Sequence, residues 1–125
     1  MSYKIDVRRE PDYLYVKAWG VRSVENLMSI ARDSLKANEK YGYENILVDV
    51  CDMIGQLSTF DVYNFGEEAN GKFKKLRSSG KTAIVDLEEN RQRFRFVETV
   101  LINRGFDVRF FANATDAEQW FRKSK

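Results

Sequence analysis

The sequence predicts an α/β fold, a five-stranded mixed sheet made of an antiparallel β-hairpin and then parallel strands, with about four helices in the order β-β-α-β-α-β-α-β-α. Three observations carry this. Tyr3–Arg8 and Tyr13–Trp19 alternate polar and apolar residues, the period-two pattern of strands with one wet face. Ile46–Val50 and Thr82–Leu87 are nearly continuous aliphatic and β-branched runs, as in strands covered on both faces. The segments between them carry apolar residues at spacings of three and four, the period of an amphipathic helix.

In chain order, Ile5 and Val7 share one face of the first strand, with Lys4, Asp6 and Arg8 on the other. Arg9-Glu10-Pro11-Asp12 signals a turn, because proline presets φ and aspartate bonds locally. The second strand places Leu14, Val16 and Ala18 on one face and Tyr13, Tyr15, Lys17 and Trp19 on the other. Ser23 suits an N-cap, and Val24, Leu27, Met28, Ala31 and Leu35 form a helical stripe that Gly42 ends. Asn45–Val50 is the next strand, and Cys51–Leu57 a loop. Ser58-Thr59-Phe60-Asp61 opens a second helix with Val62, Phe65, Ala69, Phe73 and Leu76 inward. Gly66 and Gly71 each weaken that helix by about 1 kcal/mol relative to alanine.

Ser78-Ser79-Gly80 turns the chain into the strand Thr82–Leu87. Glu88–Arg91 then loops into a third helix with Phe96, Val97, Val100 and Leu101 inward. Val108–Phe111 is a short last strand, and 112–123 a final helix buried through Ala117, Trp120 and Phe121. Thr115 and Glu118 are spaced as a capping box, with Asn113 as the alternative cap. No repeat or linker divides residues 1–125, so one domain is expected.

Composition narrows the function. Hydrophobic residues make up 43% and charged residues 32% of the 125, and the net charge of +2 argues against a partner attracted by bulk charge, nucleic acid included. Arg91, Arg93 and Arg95 could form an anion or nucleic-acid patch, but on a helix residue 93 points about 160° away from 91, which dilutes it, so a solvated mixed face is expected. The chain has no histidine, which removes the commonest general base and the commonest metal ligand. Catalysis is therefore not expected, nor a metal or a cofactor. The single cysteine, Cys51, suits a reducing compartment. With no signal-peptide core after Met1 and no apolar run long enough to span a bilayer, a cytoplasmic protein without membrane insertion is expected.

Three stretches resemble the STAS-like group, the bacterial anti-sigma-factor antagonists and the SpoIIAA-like set. These are Ile46–Val50 followed by Ser58-Thr59 at a helix start, Lys81–Val85 after a glycine-containing turn, and Gly105–Phe111 with Ala117 and Trp120-Phe121 in the closing helix. The resemblance implies a STAS-like domain that acts through protein contacts, with Ser58 at the phosphoacceptor position. Leu57 stands where the family has aspartate, and Phe60 where it has glycine.

Two readings of the region around the first buried strand stay open. Ser58 and Thr59 are candidate phosphoacceptors, since a helix N-terminus favours phosphate, with plain capping as the simpler reading. Asp49, Asp52, Met53, Ile54, Leu57, Phe60 and Tyr63 are the candidate partner or ligand surface, and equally core or a homodimer seam. The expected role is a non-enzymatic regulatory interaction domain with an unidentified protein partner. The alternative is a module for a small apolar or amphipathic ligand. Asp49, Asp52 and Asp86 at the strand ends would serve an enzyme only by converging in one cleft.

Overall fold

The computed structural model describes residues 2–72 and 80–123. Ten elements follow one another: β1 (Tyr3–Arg9), β2 (Leu14–Gly20), α1 (Val24–Tyr41), β3 (Asn45–Asp49), α2 (Thr59–Lys72), β4 (Lys81–Val85), α3 (Glu88–Arg93), α4 (Arg95–Asn103), β5 (Val108–Phe111) and α5 (Ala114–Lys123). The sheet has the order β1-β2-β3-β4-β5, with β1 antiparallel to β2 and every later pair parallel. This is the predicted architecture with one helix more. Phe73, Lys74, Lys75, Leu76, Ser78 and Ser79 lie outside the described residues.

Right-handed crossovers that step the same way along a sheet must use the same face. The helices between β2 and β5 do so: Leu27 and Ile30 of α1, Val62 of α2, and Val97 and Leu101 of α4 bury against Leu14, Val16, Ile46 and Val48. Among the described residues no strand follows α5, so that rule does not bind it. It covers the other face, where Ala117 and Phe121 meet Leu47, Ala83 and Val85. Alternation along β3 thus feeds two cores, which is why nearly the whole strand is apolar. Over β1 and β2 the second face stays polar, with Lys4 stacked 5.3 Å from the Trp19 ring centre and Arg8 4.5 Å from that of Tyr15.

The caps follow local chemistry. Ser23 Oγ accepts a hydrogen bond from Asn26 N at 3.0 Å, and Gly42 ends α1 in the left-handed region at φ 71°. Along α1 the buried face is Asn26, Leu27, Met28, Ile30 and Ser34, whereas Val24, Ala31 and Leu35 flank it half-buried. Asn113 caps α5, its Oδ1 accepting from Asp116 N at 2.8 Å. Glu118 instead accepts the Tyr13 hydroxyl at 2.6 Å, tying α5 to the start of β2. The helical glycine Gly66 is buried and faces α4, where a Cβ added to it would sit 3.4 Å from Val97 Cγ2.

One expectation is corrected. Glu88–Arg91 is helical rather than a loop, and the predicted third helix is two helices joined at Phe94 (φ −89°, ψ 4°). Phe94 is buried and stacks on Phe110 at 5.4 Å, while Phe96 is 51% exposed rather than inward. The reason is register: residues 94, 97 and 101, spaced by three and four, share the face turned to the sheet, and residue 96 stands off it. Val100, also expected inward, is half-buried.

Candidate functional site

The parallel strands β2 to β5 all end at the same edge of the sheet, where open α/β folds place their working surface. At the end of β2, Gly20 takes φ 128°, and its carbonyl accepts Ile54 N at 2.9 Å while Arg22 N donates to Ile54 O at 2.8 Å. The loop after β3 is thereby pinned beside Val21 and Arg22.

Arg22 is buried. Its guanidinium donates to both carboxylate oxygens of Asp86, from Nη1 at 2.7 Å and Nη2 at 2.9 Å, and Nη2 also donates to Val50 O at 3.0 Å. Asp86 further accepts Leu87 N at 2.7 Å and Asn90 Nδ2 at 3.3 Å, which anchors the start of α3. Burial raises the Asp86 carboxyl above the usual carboxylate range, against the opposing pull of Arg22, Leu87 and Asn90. Arg22 was not singled out by the sequence reading. A lone arginine between Val21 and Ser23 shows no local pattern, and its only clue is that a strand-end aspartate as buried as Asp86 needs a counter-charge.

Asp49 and Asp52 take other partners. Asp49 accepts the Tyr15 hydroxyl at 2.7 Å and Cys51 N at 3.0 Å. Partial burial works to raise its carboxyl, yet these bonds and nearby Lys17 hold it below the ordinary value. Asp52 pairs with Lys17 Nζ at 2.9 Å near the surface. The three carboxylates are thus engaged separately. Among the described residues no cluster of histidine, cysteine or carboxylate side chains is arranged to hold a metal. The Cys51 thiol lies among these acids. Burial and then the Asp49 charge push it up to about 12, so it stays protonated at neutral pH.

The candidate surface divides. Met53 and Leu57 are buried and belong to the core. Ile54, Phe60 and Tyr63 are 68%, 71% and 49% exposed. Phe60 and Tyr63 stand one helical turn apart on α2, and Tyr63 stacks on the exposed Phe96 at 5.8 Å between ring centres. Val21 and Leu87, at the ends of β2 and β4, are exposed as well. Ser58 Oγ accepts Asp61 N at 3.1 Å, so it caps α2, and both Ser58 and Thr59 are exposed. Arg93 leaves the arginine trio by donating to Leu57 O at 2.7 Å, and Arg91 pairs with Glu88.

Behind this edge, between the sheet and helices α1, α2 and α4, lies a cavity of about 150 Å3. Ile30, Ile46, Val48, Ile84, Phe94 and Phe110 are among its lining, and Arg22 and Asp86 meet it at the strand ends. No helix among the described residues is long and apolar enough to cross a membrane.

No protein-family model and no curated protein matches the chain. Among the solved structures that resemble it are the following two. One is a DUF3478-family protein with a SpoIIAA-like fold from Shewanella loihica PV-4, 20% identical, with a TM-score of 0.52 over 95% of this chain and 93% of that one. The other is an anti-sigma factor antagonist from Mycobacterium paratuberculosis, 13% identical, with a TM-score of 0.58 over 97% and 95%. The chain has the SpoIIAA-like, STAS-like α/β fold.

Proposed function

We propose that the chain is a non-enzymatic, cytoplasmic regulatory domain that engages a protein partner through the apolar surface of Ile54, Phe60 and Tyr63 at the carboxyl edge of the sheet. The observation that carries this is the exposure of two aromatic rings and an isoleucine at one loop-to-helix junction, because apolar groups held in water at one place mark an interaction site. The likeness to an anti-sigma factor antagonist agrees with a regulatory role. Ser58 and Thr59 beside Phe60 are the proposed phosphoacceptors. A phosphate there would be favoured by the helix dipole and would place charge against the apolar surface, weakening partner binding.

The test is native mass spectrometry of protein isolated from its own host, before and after phosphatase, alongside the Phe60→Ser and Tyr63→Ser variants. A partner that co-purifies with the native chain and is lost from both folded variants supports the reading. A phosphate adduct mapped to Ser58 or Thr59 supports the switch. A homodimer that the two substitutions dissolve would reassign the surface to self-association. Partner binding unchanged in both variants would sink the proposal.

The apolar cavity favours a second reading, in which the domain holds a small apolar or amphipathic ligand. A small molecule retained in the same mass spectra would support it.

A further inference from the structure

The buried Arg22 guanidinium has five N–H groups, and three of the four on its Nη atoms go to Asp86 and Val50. Its Nε–H has no hydrogen-bond partner, the only buried side-chain nitrogen or oxygen in that position among the described residues. A donor left unmet in so dry a place keeps the full cost of its lost hydration. Arg22 lines the cavity together with the polar residues Ser34, Thr82, Asp86 and Asp107, the last paired with Lys81 Nζ at 3.5 Å. The Ser34 hydroxyl donates to Ile30 O at 2.7 Å. Thr82 lies near the start of β4 and Asp86 just past its end, about 13 Å apart at the strand rise.

We propose that this cavity is a site for a small neutral molecule bearing one hydrogen-bond acceptor oxygen on an otherwise apolar body, with the Nε–H of Arg22 as its donor. The inference rests on the second reading above and names its ligand chemistry. Neutrality follows from charge balance: Asp86 already matches the Arg22 cation, so a carboxylate ligand would bring an uncompensated charge into an apolar cavity. Size follows from volume, since an apolar cavity of about 150 Å3 accommodates a single six-membered ring.

Cyclohexanone and methylenecyclohexane test this, because they share a shape and differ in the oxygen; cyclohexanecarboxylate is the charged control. Each is titrated into the full chain labelled with 15N, and the backbone signals of Ile84 and Phe110 and the side-chain Nε–H signal of Arg22 are followed. The expected result is that the ketone binds roughly tenfold tighter than the alkene, moves the Arg22 Nε–H signal, and outcompetes the carboxylate. Arg22→Lys, which keeps the cation and removes Nε–H, should level ketone and alkene. The comparison within the native chain decides the matter even where that variant does not fold. Equal binding of ketone and alkene with Arg22 unmoved overturns the inference and leaves the second reading standing. Tighter binding of the carboxylate overturns it too. No shift at Ile84 or Phe110 with any probe removes both.

Discussion

Arg22 and Asp86, 64 residues apart, face each other through two parallel hydrogen bonds of 2.7 and 2.9 Å, both side chains 2% exposed. The pair links the segment after β2 to the end of β4, and through Leu87 and Asn90 to the start of α3. Removing one partner strands the other as a buried charge, so Asp86→Ala is expected to cost about 3–5 kcal/mol. The double variant Arg22→Met, Asp86→Leu removes both charges and should recover much of that loss. Urea unfolding of the three proteins checks this, and a double variant no better than the single one would refute the account.

Gly80 is required for space. A Cβ there would lie 1.7 Å from the carbonyl oxygen of Glu44, the atom that accepts Lys81 N at 2.9 Å to start β4 beside β3. Gly80→Ala should therefore destabilise by about 3 kcal/mol. Gly71, exposed in α2 with open space among the described residues for an added Cβ, should gain about 0.5–1 kcal/mol on the same change. Thermal melts of the two variants should move in opposite directions.

Tyr15 makes part of the fold's stability sensitive to acid. Its hydroxyl helps hold the Asp49 carboxyl below the ordinary value, so the folded chain gives up that proton more readily than the unfolded chain. The resulting stabilisation is complete above the unfolded value of about pH 4 and fades as pH falls through the lower folded value. The stability difference between the native chain and Tyr15→Phe should accordingly be present at neutral pH and shrink in this acid window. A difference constant down to acid would show that Asp49 does not carry it.

The Cys51 thiol, pushed up to about 12, should resist alkylation in the folded chain at mildly alkaline pH, by roughly two to three orders of magnitude relative to the unfolded chain. Rapid labelling of folded protein, followed by mass spectrometry, would contradict its placement among Asp49, Asp52 and Asp86.

What the sequence determined was the part that depends on neighbours in the chain. The alternation of Leu14, Val16 and Ala18, the Ser23 cap, the left-handed Gly42 and the aliphatic run of β3 are set by strand period, local hydrogen bonding and backbone sterics, and all stand in the structure. Tertiary structure decided what depends on residues distant in the chain. Leu57 and Ile54 are equally apolar and three apart, yet one is core and the other surface, because the bonds between Ile54 and the Gly20–Arg22 segment fix which way the loop turns. Phe94 rather than Phe96 is buried because a bend at residue 94 sets the register of α4 against the sheet. Arg22 found its role only when β2 and β4 ended at the same edge, since a buried charge is made tolerable by a partner that no local pattern can name.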